Sequence, residues 1–109
     1  MHWHPNASEW QFYLQGKARM TVFLPVRNAR TMDYNANDVG YVPAAAGHYV
    51  ENTGDTDLIF LEMFASNQFM DVSLNNWVSR LPSSIASAHL NLDASTLSKI
   101  PVAKQEVLK

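Results

Sequence analysis

The sequence predicts an all-β fold followed by a short helical tail, on three observations. Through about residue 65, apolar residues fall into short runs separated by Gly, Pro, Asn and Asp, the punctuation of strands rather than long helices. After residue 71 the period changes, and Leu74, Trp77, Val78 and Leu81 recur at helical spacing behind capping residues. The 109 residues are 47% hydrophobic and 11% aromatic, enough for one compact domain with a core.

Taken in order, Glu9 to Gln15 is a run of aromatics and Leu that ends at the turn residue Gly16. Lys17 to Leu24 follows at once with loose apolar–polar alternation, so the two runs are expected to pair antiparallel around Gly16. Pro25 stops the second run, and Arg27-Asn28-Ala29-Arg30 reads as a polar turn. Thr31 to Tyr34 is a short strand, Asn35 to Asp38 a loop, and Val39 to Val42 extended again. Ala44-Ala45-Ala46-Gly47 is a small-residue loop before His48. Tyr49 to Asn52 is a strand, Thr53-Gly54-Asp55 a turn, and Asp57 to Phe64 the longest apolar strand. Strands of this length and spacing favour a sandwich or small barrel.

In the tail, Asp71 or Ser73 caps a helix through Leu81, which Pro82 ends. Ser83 or Ser84 starts a second helix through Leu90, and Asp93 caps a third, Ala94 to Lys99. The expected organisation is a single domain over residues 1–109, with strands over about 1–65, a helical tail over about 71–100 and fraying from Val102 to Lys109. There is no repeat, low-complexity tract or linker.

The formal net charge is −2 with no Lys/Arg stripe, so nucleic-acid binding has no electrostatic footprint. No apolar run approaches the roughly 20 residues of a membrane helix, so no membrane partner is expected. The first residues lack the charged and apolar regions of a signal peptide, which makes the cytoplasm the default expectation. Without cysteine there are no disulfides, thiolate metal sites or cysteine nucleophiles.

The candidate chemistry lies in four residues. His2 and His4 are two apart, so on a strand they share a face. Glu9 opens the next apolar run, and His48 opens a later one. Imidazole and carboxylate are ligands of divalent transition metals, and converging strands could close a three-nitrogen, one-oxygen site. Such a set holds Mn, Fe, Co, Ni, Cu or Zn; open octahedral positions beside a carboxylate suit Mn or Fe(II), while raw affinity favours Cu, Ni or Zn. The competing readings are a solvated N-terminal segment for His2 and His4, a hydrogen-bonded core histidine for His48, and a solvated strand-start charge for Glu9.

The order of these residues resembles the cupin superfamily. Its first motif, His-x-His, three or four residues, Glu, six residues, Gly, is matched by His2, His4, Glu9 and Gly16. Its second is matched by Gly40, Pro43, Gly47, His48 and Asn52, with a longer step between Pro43 and Gly47. Over nearly the whole chain the match narrows. His2-Trp3-His4-Pro5-Asn6, Trp10-Gln11, Gly16 to Val22, Gly40 to Pro43, Gly47 to Tyr49, Glu51 to Asp55, Leu61 to Phe64 and Ser73 to Trp77 look like the second half of an oxalate decarboxylase. These enzymes are usually bicupins, two halves in one chain, each binding manganese.

The resemblance implies a cupin jelly-roll barrel, Mn2+ held by His2, His4, Glu9 and His48, and manganese-dependent conversion of oxalate to formate and carbon dioxide, with dioxygen as co-catalyst. Glu62 matches a glutamate near the metal in the family. It is an acid within Leu58 to Phe64, sharing a face with Leu58 and Phe60 on strict alternation. Burial there would raise its pKa and make it a proton carrier, the catalytic role expected of it. The family's arginine before the first histidine, the other half and its lid glutamate have no counterpart in these residues, which implies a truncated or single-domain form with low activity. The strands that precede the first motif are also absent, and a homo-oligomer is expected to cover the sheet edge left bare. Two rivals share the metal shell: an oxalate oxidase of the germin kind, yielding peroxide, and a non-catalytic metal-binding cupin. Trp3, Phe12, Tyr41, Tyr49, Phe60 and Phe64 are expected in the core or pocket wall, Trp77 and Leu81 in helix packing, and His89 on the surface.

Overall fold

The computed structural model describes residues 1–25 and 28–104. The chain divides into two compact units, Met1–Asp71 and Val72–Lys109. Among the described residues the first holds seven strands: β1 (His2–Trp3), β2 (Glu9–Gln15), β3 (Lys17–Leu24), β4 (Asn28–Asn35), β5 (Val39–Val42), β6 (Gly47–Asn52) and β7 (Ile59–Phe64). Within it, one sheet runs β4-β3-β6-β1 and the other β5-β2-β7, both antiparallel.

The side chains of the first unit's core come from both sheets. Alternation along β3 sends Ala18, Met20 and Val22 inward, and the other sheet supplies Tyr13 and Val42. Tyr13 stacks on Tyr34 at 4.7 Å and on Phe60 at 5.3 Å. Burying an aliphatic or aromatic side chain of this size stabilises the fold by about 1.5–3 kcal/mol each.

β2 has the reverse of the usual pattern. Its inward side chains are Glu9, Gln11 and Tyr13, all buried, while Trp10 and Leu14 face outward and are about half exposed. Only internal hydrogen bonds or a bound ion make such an inward row tolerable.

Two strand expectations are corrected. β2 and β3 do not pair with each other. β3 lies between β4 and β6, and β2 between β5 and β7, so Gly16 carries the chain from one sheet to the other. Gly16 has φ +88°, and a Cβ there would sit 2.9 Å from the Asp57 carbonyl oxygen, so the crossing needs glycine twice over. The residues Asn28, Ala29 and Arg30, expected in a polar turn, are strand instead. β3 supplies a full ladder (Leu24 with Asn28, Phe23 with Ala29, Val22 with Arg30), and this pairing overrides their weak strand propensity. Arg27 and positions 105–109 lie outside the described residues.

The second unit holds β8 (Val72–Ser73), α1 (Leu74–Val78), α2 (Ser83–Leu90) and α3 (Ala94–Leu97). Ser73, not Asp71, caps α1, its side chain accepting from the Asn76 amide. α1 stops at Val78, short of Leu81. Asp93 caps α3 and accepts from the Thr96 amide at 2.8 Å. Trp77 is exposed, and the surface position expected of His89 is observed.

Candidate metal centre

β1 and β6 lie side by side with His2 opposite His48. β1 ends at Trp3, one residue short of the strand expected through His4, yet His4 still reaches the same point. Glu9 stands at the start of β2 between Val42 and Phe64 on its two neighbours. The potential ligand atoms of His2, His4, Glu9 and His48 all lie within 4.8 Å of one another. His4, Glu9 and His48 are buried, and His2 is half-buried. The solvated-segment reading therefore fails for His4, and the solvated-charge reading fails for Glu9.

Each buried imidazole is fixed through its outer nitrogen. Nδ1 of His4 donates to the Met70 carbonyl at 2.9 Å, and Nδ1 of His48 to the Ala46 carbonyl at 3.0 Å. A carbonyl only accepts, so both Nδ1 atoms carry the proton, and in the neutral ring Nε2 is left with a lone pair. The loop before β6 assists: the Ala45 amide donates to the His4 carbonyl at 2.9 Å, with Ala45 itself at φ +62°. The Pro43–Ala46 turn thus anchors both histidines. Phe64 packs on the His4 ring at 4.6 Å.

The two Nε2 atoms converge on Glu9, His4 at 3.1 Å and His48 at 3.0 Å from Oε2. These distances have the length of ion pairs, but among the described residues Nε2 of His4, Nε2 of His48 and Oε2 of Glu9 are the buried side-chain atoms left without a hydrogen bond. With Nδ1 protonated in neutral rings, three acceptors face one another. Leaving each unsatisfied costs on the order of 1–3 kcal/mol. A cation among them removes the cost. Metal–ligand bonds of about 2.1 Å at right angles put neighbouring donor atoms about 3.0 Å apart. The donor set and its spacing therefore fit a divalent transition metal.

The electrostatics agree. Burial pushes the Glu9 carboxyl up, but the His48 imidazole, the Gln11 amide and the His4 imidazole around it outweigh burial and hold it below the ordinary carboxylate range. Behind Glu9 runs a buried row that the sequence reading passed over. Gln11 Nε2 donates to Glu9 Oε1 at 2.6 Å, and the Tyr13 hydroxyl donates to Gln11 Oε1 at 2.5 Å. The alternation Glu9, Gln11, Tyr13 puts the three on one face of a strand but does not say that this face is the buried one.

Glu62 lies directly opposite Gln11 on β7, on the face it shares with Phe60 and Phe64. Its carboxylate also adds to the field that, after burial and Tyr34, holds the Tyr13 phenol above its usual range. The face is the expected one. The burial is not: Glu62 is exposed. Tyr41, expected in the core, faces outward and donates to Ser8 Oγ at 3.1 Å.

Comparison with known proteins agrees with this architecture. The Cupin family model matches residues 1–98. The chain belongs to the cupin family. This cupin is 53% identical, over its full length, to the oxalate decarboxylase OxdC of Bacillus subtilis strain 168, of which it spans 30%. It is 41% identical over 99% of its length to a probable oxalate decarboxylase of Arthroderma benhamiae, of which it spans 27%. A solved structure of the Bacillus subtilis oxalate decarboxylase, a study of its Mn(II) centres, superposes with a TM-score of 0.96 at 53% identity. That match covers 99% of the cupin described here and 29% of the solved chain.

Proposed function

We propose that His2, His4, Glu9 and His48 bind one manganese ion and that the loaded protein converts oxalate to formate and carbon dioxide. The observation that carries this reading is the pair of buried imidazole nitrogens, at 3.1 and 3.0 Å from one buried carboxylate oxygen, with no hydrogen bond to any of the three. Its support in substrate and metal comes from the oxalate decarboxylases and their Mn(II) centres.

Bound manganese supplies Lewis acidity and a redox partner for a carboxylate substrate. The chain's own residues do the rest. His4 and His48 present Nε2 in a fixed tautomer. Glu9 supplies the anionic ligand. Phe64 and Phe69 wall His4 with apolar rings. Breaking the carbon–carbon bond releases carbon dioxide, and the remaining carbon takes up one proton to become formate. Glu62, on the inward face of β7, carries that proton.

Two further points belong to this reading: the two units act together as one cupin domain, and copies associate as a homo-oligomer. One observation favours a second reading, a metal-binding cupin without turnover: Glu62 is exposed, so bulk water competes for the proton step. The experiment is to incubate the manganese-loaded protein with oxalate at mildly acid pH and assay formate and peroxide together. Formate is expected. Peroxide without formate would move the assignment to an oxidase. Neither product, with metal bound, would leave the second reading.

A further inference from the structure

We propose that Gln11 is a positioning residue for the metal site: oriented by Tyr13, and given room by Gly40, it occupies one oxygen of Glu9 so that the other alone meets the metal. The inference rests on the metal-binding reading above and deepens it.

The argument begins with which atoms can donate. A carboxylate only accepts, so the group of Gln11 that lies 2.6 Å from Glu9 Oε1 is the amide NH2. Its carbonyl oxygen then faces Tyr13, whose hydroxyl donates to it at 2.5 Å. Gln11 and Tyr13 are both fully buried, so water offers neither of them another partner. The phenol keeps its proton because burial raises its pKa, so it stays a donor across the working pH range. The row has one direction, Tyr13 to Gln11 to Glu9, because a flipped amide would set its carbonyl oxygen against Glu9 Oε1, two acceptors together.

The two oxygens of Glu9 are thereby distinguished. Oε1 is taken by Gln11, while Oε2 faces the His4 and His48 nitrogens. A carboxylate held this way binds through one oxygen and takes one position on the ion, leaving more positions for a substrate.

Gly40 completes the arrangement. It pairs with Gln11 across β2 and β5, and a Cβ at Gly40 would sit 3.0 Å from Gln11 Oε1 and 3.5 Å from Met20 Cε. Its φ is ordinary, so space and not backbone conformation demands glycine here. The glycine that opens the second sequence motif thus serves the glutamate of the first.

The test uses the full chain and manganese alone. Mn(II) affinity is measured by calorimetry and the Mn(II) environment by electron paramagnetic resonance, for wild type, Gln11→Met, Tyr13→Phe and Gly40→Ala, with circular dichroism as the check on folding. Gln11→Met is expected to weaken Mn(II) binding by about 10–100-fold and to change the zero-field splitting as the second Glu9 oxygen reaches the ion. Tyr13→Phe and Gly40→Ala are expected to move both readouts in the same direction by less. If Gln11→Met does not fold, Tyr13→Phe decides. A folded variant that binds as tightly as wild type with an unchanged spectrum would overturn the positioning role and leave the metal site standing. A wild type that does not bind Mn(II) would overturn both.

Discussion

Glu62 faces Gln11 across the β2–β7 ladder and is exposed. Exposure is compatible with a proton carrier in the first reading and with a solvated surface acid in the second, and substitution separates the two. Glu62→Gln keeps the shape and removes the transferable proton. It is expected to retain Mn(II) affinity while formate production falls by about 10²–10⁴-fold; unchanged turnover would remove Glu62 from the mechanism. Glu9 behaves in the opposite way. Its folded-state pKa is held below the ordinary 4.5, so its ionised form contributes stability that is present above about pH 4.5 and is lost as pH falls through the folded value. The stability gap between the metal-free protein and its Glu9→Gln variant should therefore narrow in urea titrations below pH 4.5; a gap constant with pH would contradict the assignment. At this scale the sequence was most legible at the four candidate ligands, because imidazoles and a carboxylate at motif spacing have few other uses. Gln11 was illegible by contrast. Along Glu9 to Gln15 polar and apolar residues alternate, and alternation alone does not say which row is buried.

At the scale of elements, β2 explains the largest misreading. Apolar residues normally point inward, so Phe12 is expected in the core, and two runs flanking Gly16 are expected to pair with each other. The inward row of Glu9, Gln11 and Tyr13 reverses this, because their hydrogen bonds make the polar row the one that must be dry. Strand positions were legible because turn residues bracket them; partners were not, because pairing is non-local and depends on where each edge finds a neighbour. Gly16 shows the difference. Its glycine marks a turn in any reading, but only the structure shows that the turn changes sheets beneath the Asp57 carbonyl. Gly16→Ala would place a side chain at φ +88° and 2.9 Å from that oxygen. A loss of about 1–3 kcal/mol is expected, read as a lowered urea midpoint at unchanged slope. A variant as stable as wild type would mean that the crossing relaxes to another conformation.

At the scale of the molecule, the same reversal has a consequence for the outside. The outward row of β2 continues onto Val39 and Tyr41 of β5 and Ile59, Leu61 and Met63 of β7, so the outer face of this sheet is apolar and bears no charged side chain on those rows. Monomers seldom leave contiguous apolar patches larger than roughly 300–600 Å² bare. An uncharged face is complementary to a second copy of itself, and a formal net charge of −2 offers little repulsion against that approach. The homo-oligomer expected from the sequence thus gains a surface, and a different one from the sheet edge that first suggested it. Sedimentation of the purified chain should show a dimer or larger species. Replacing Trp10 and Leu61 by Gln should shift it toward monomer without changing Mn(II) affinity, since neither side chain points toward His4 or Glu9. A wild-type chain that sediments as a stable monomer would mean that this face is tolerated in water, and the self-association reading would fall while the metal site stands.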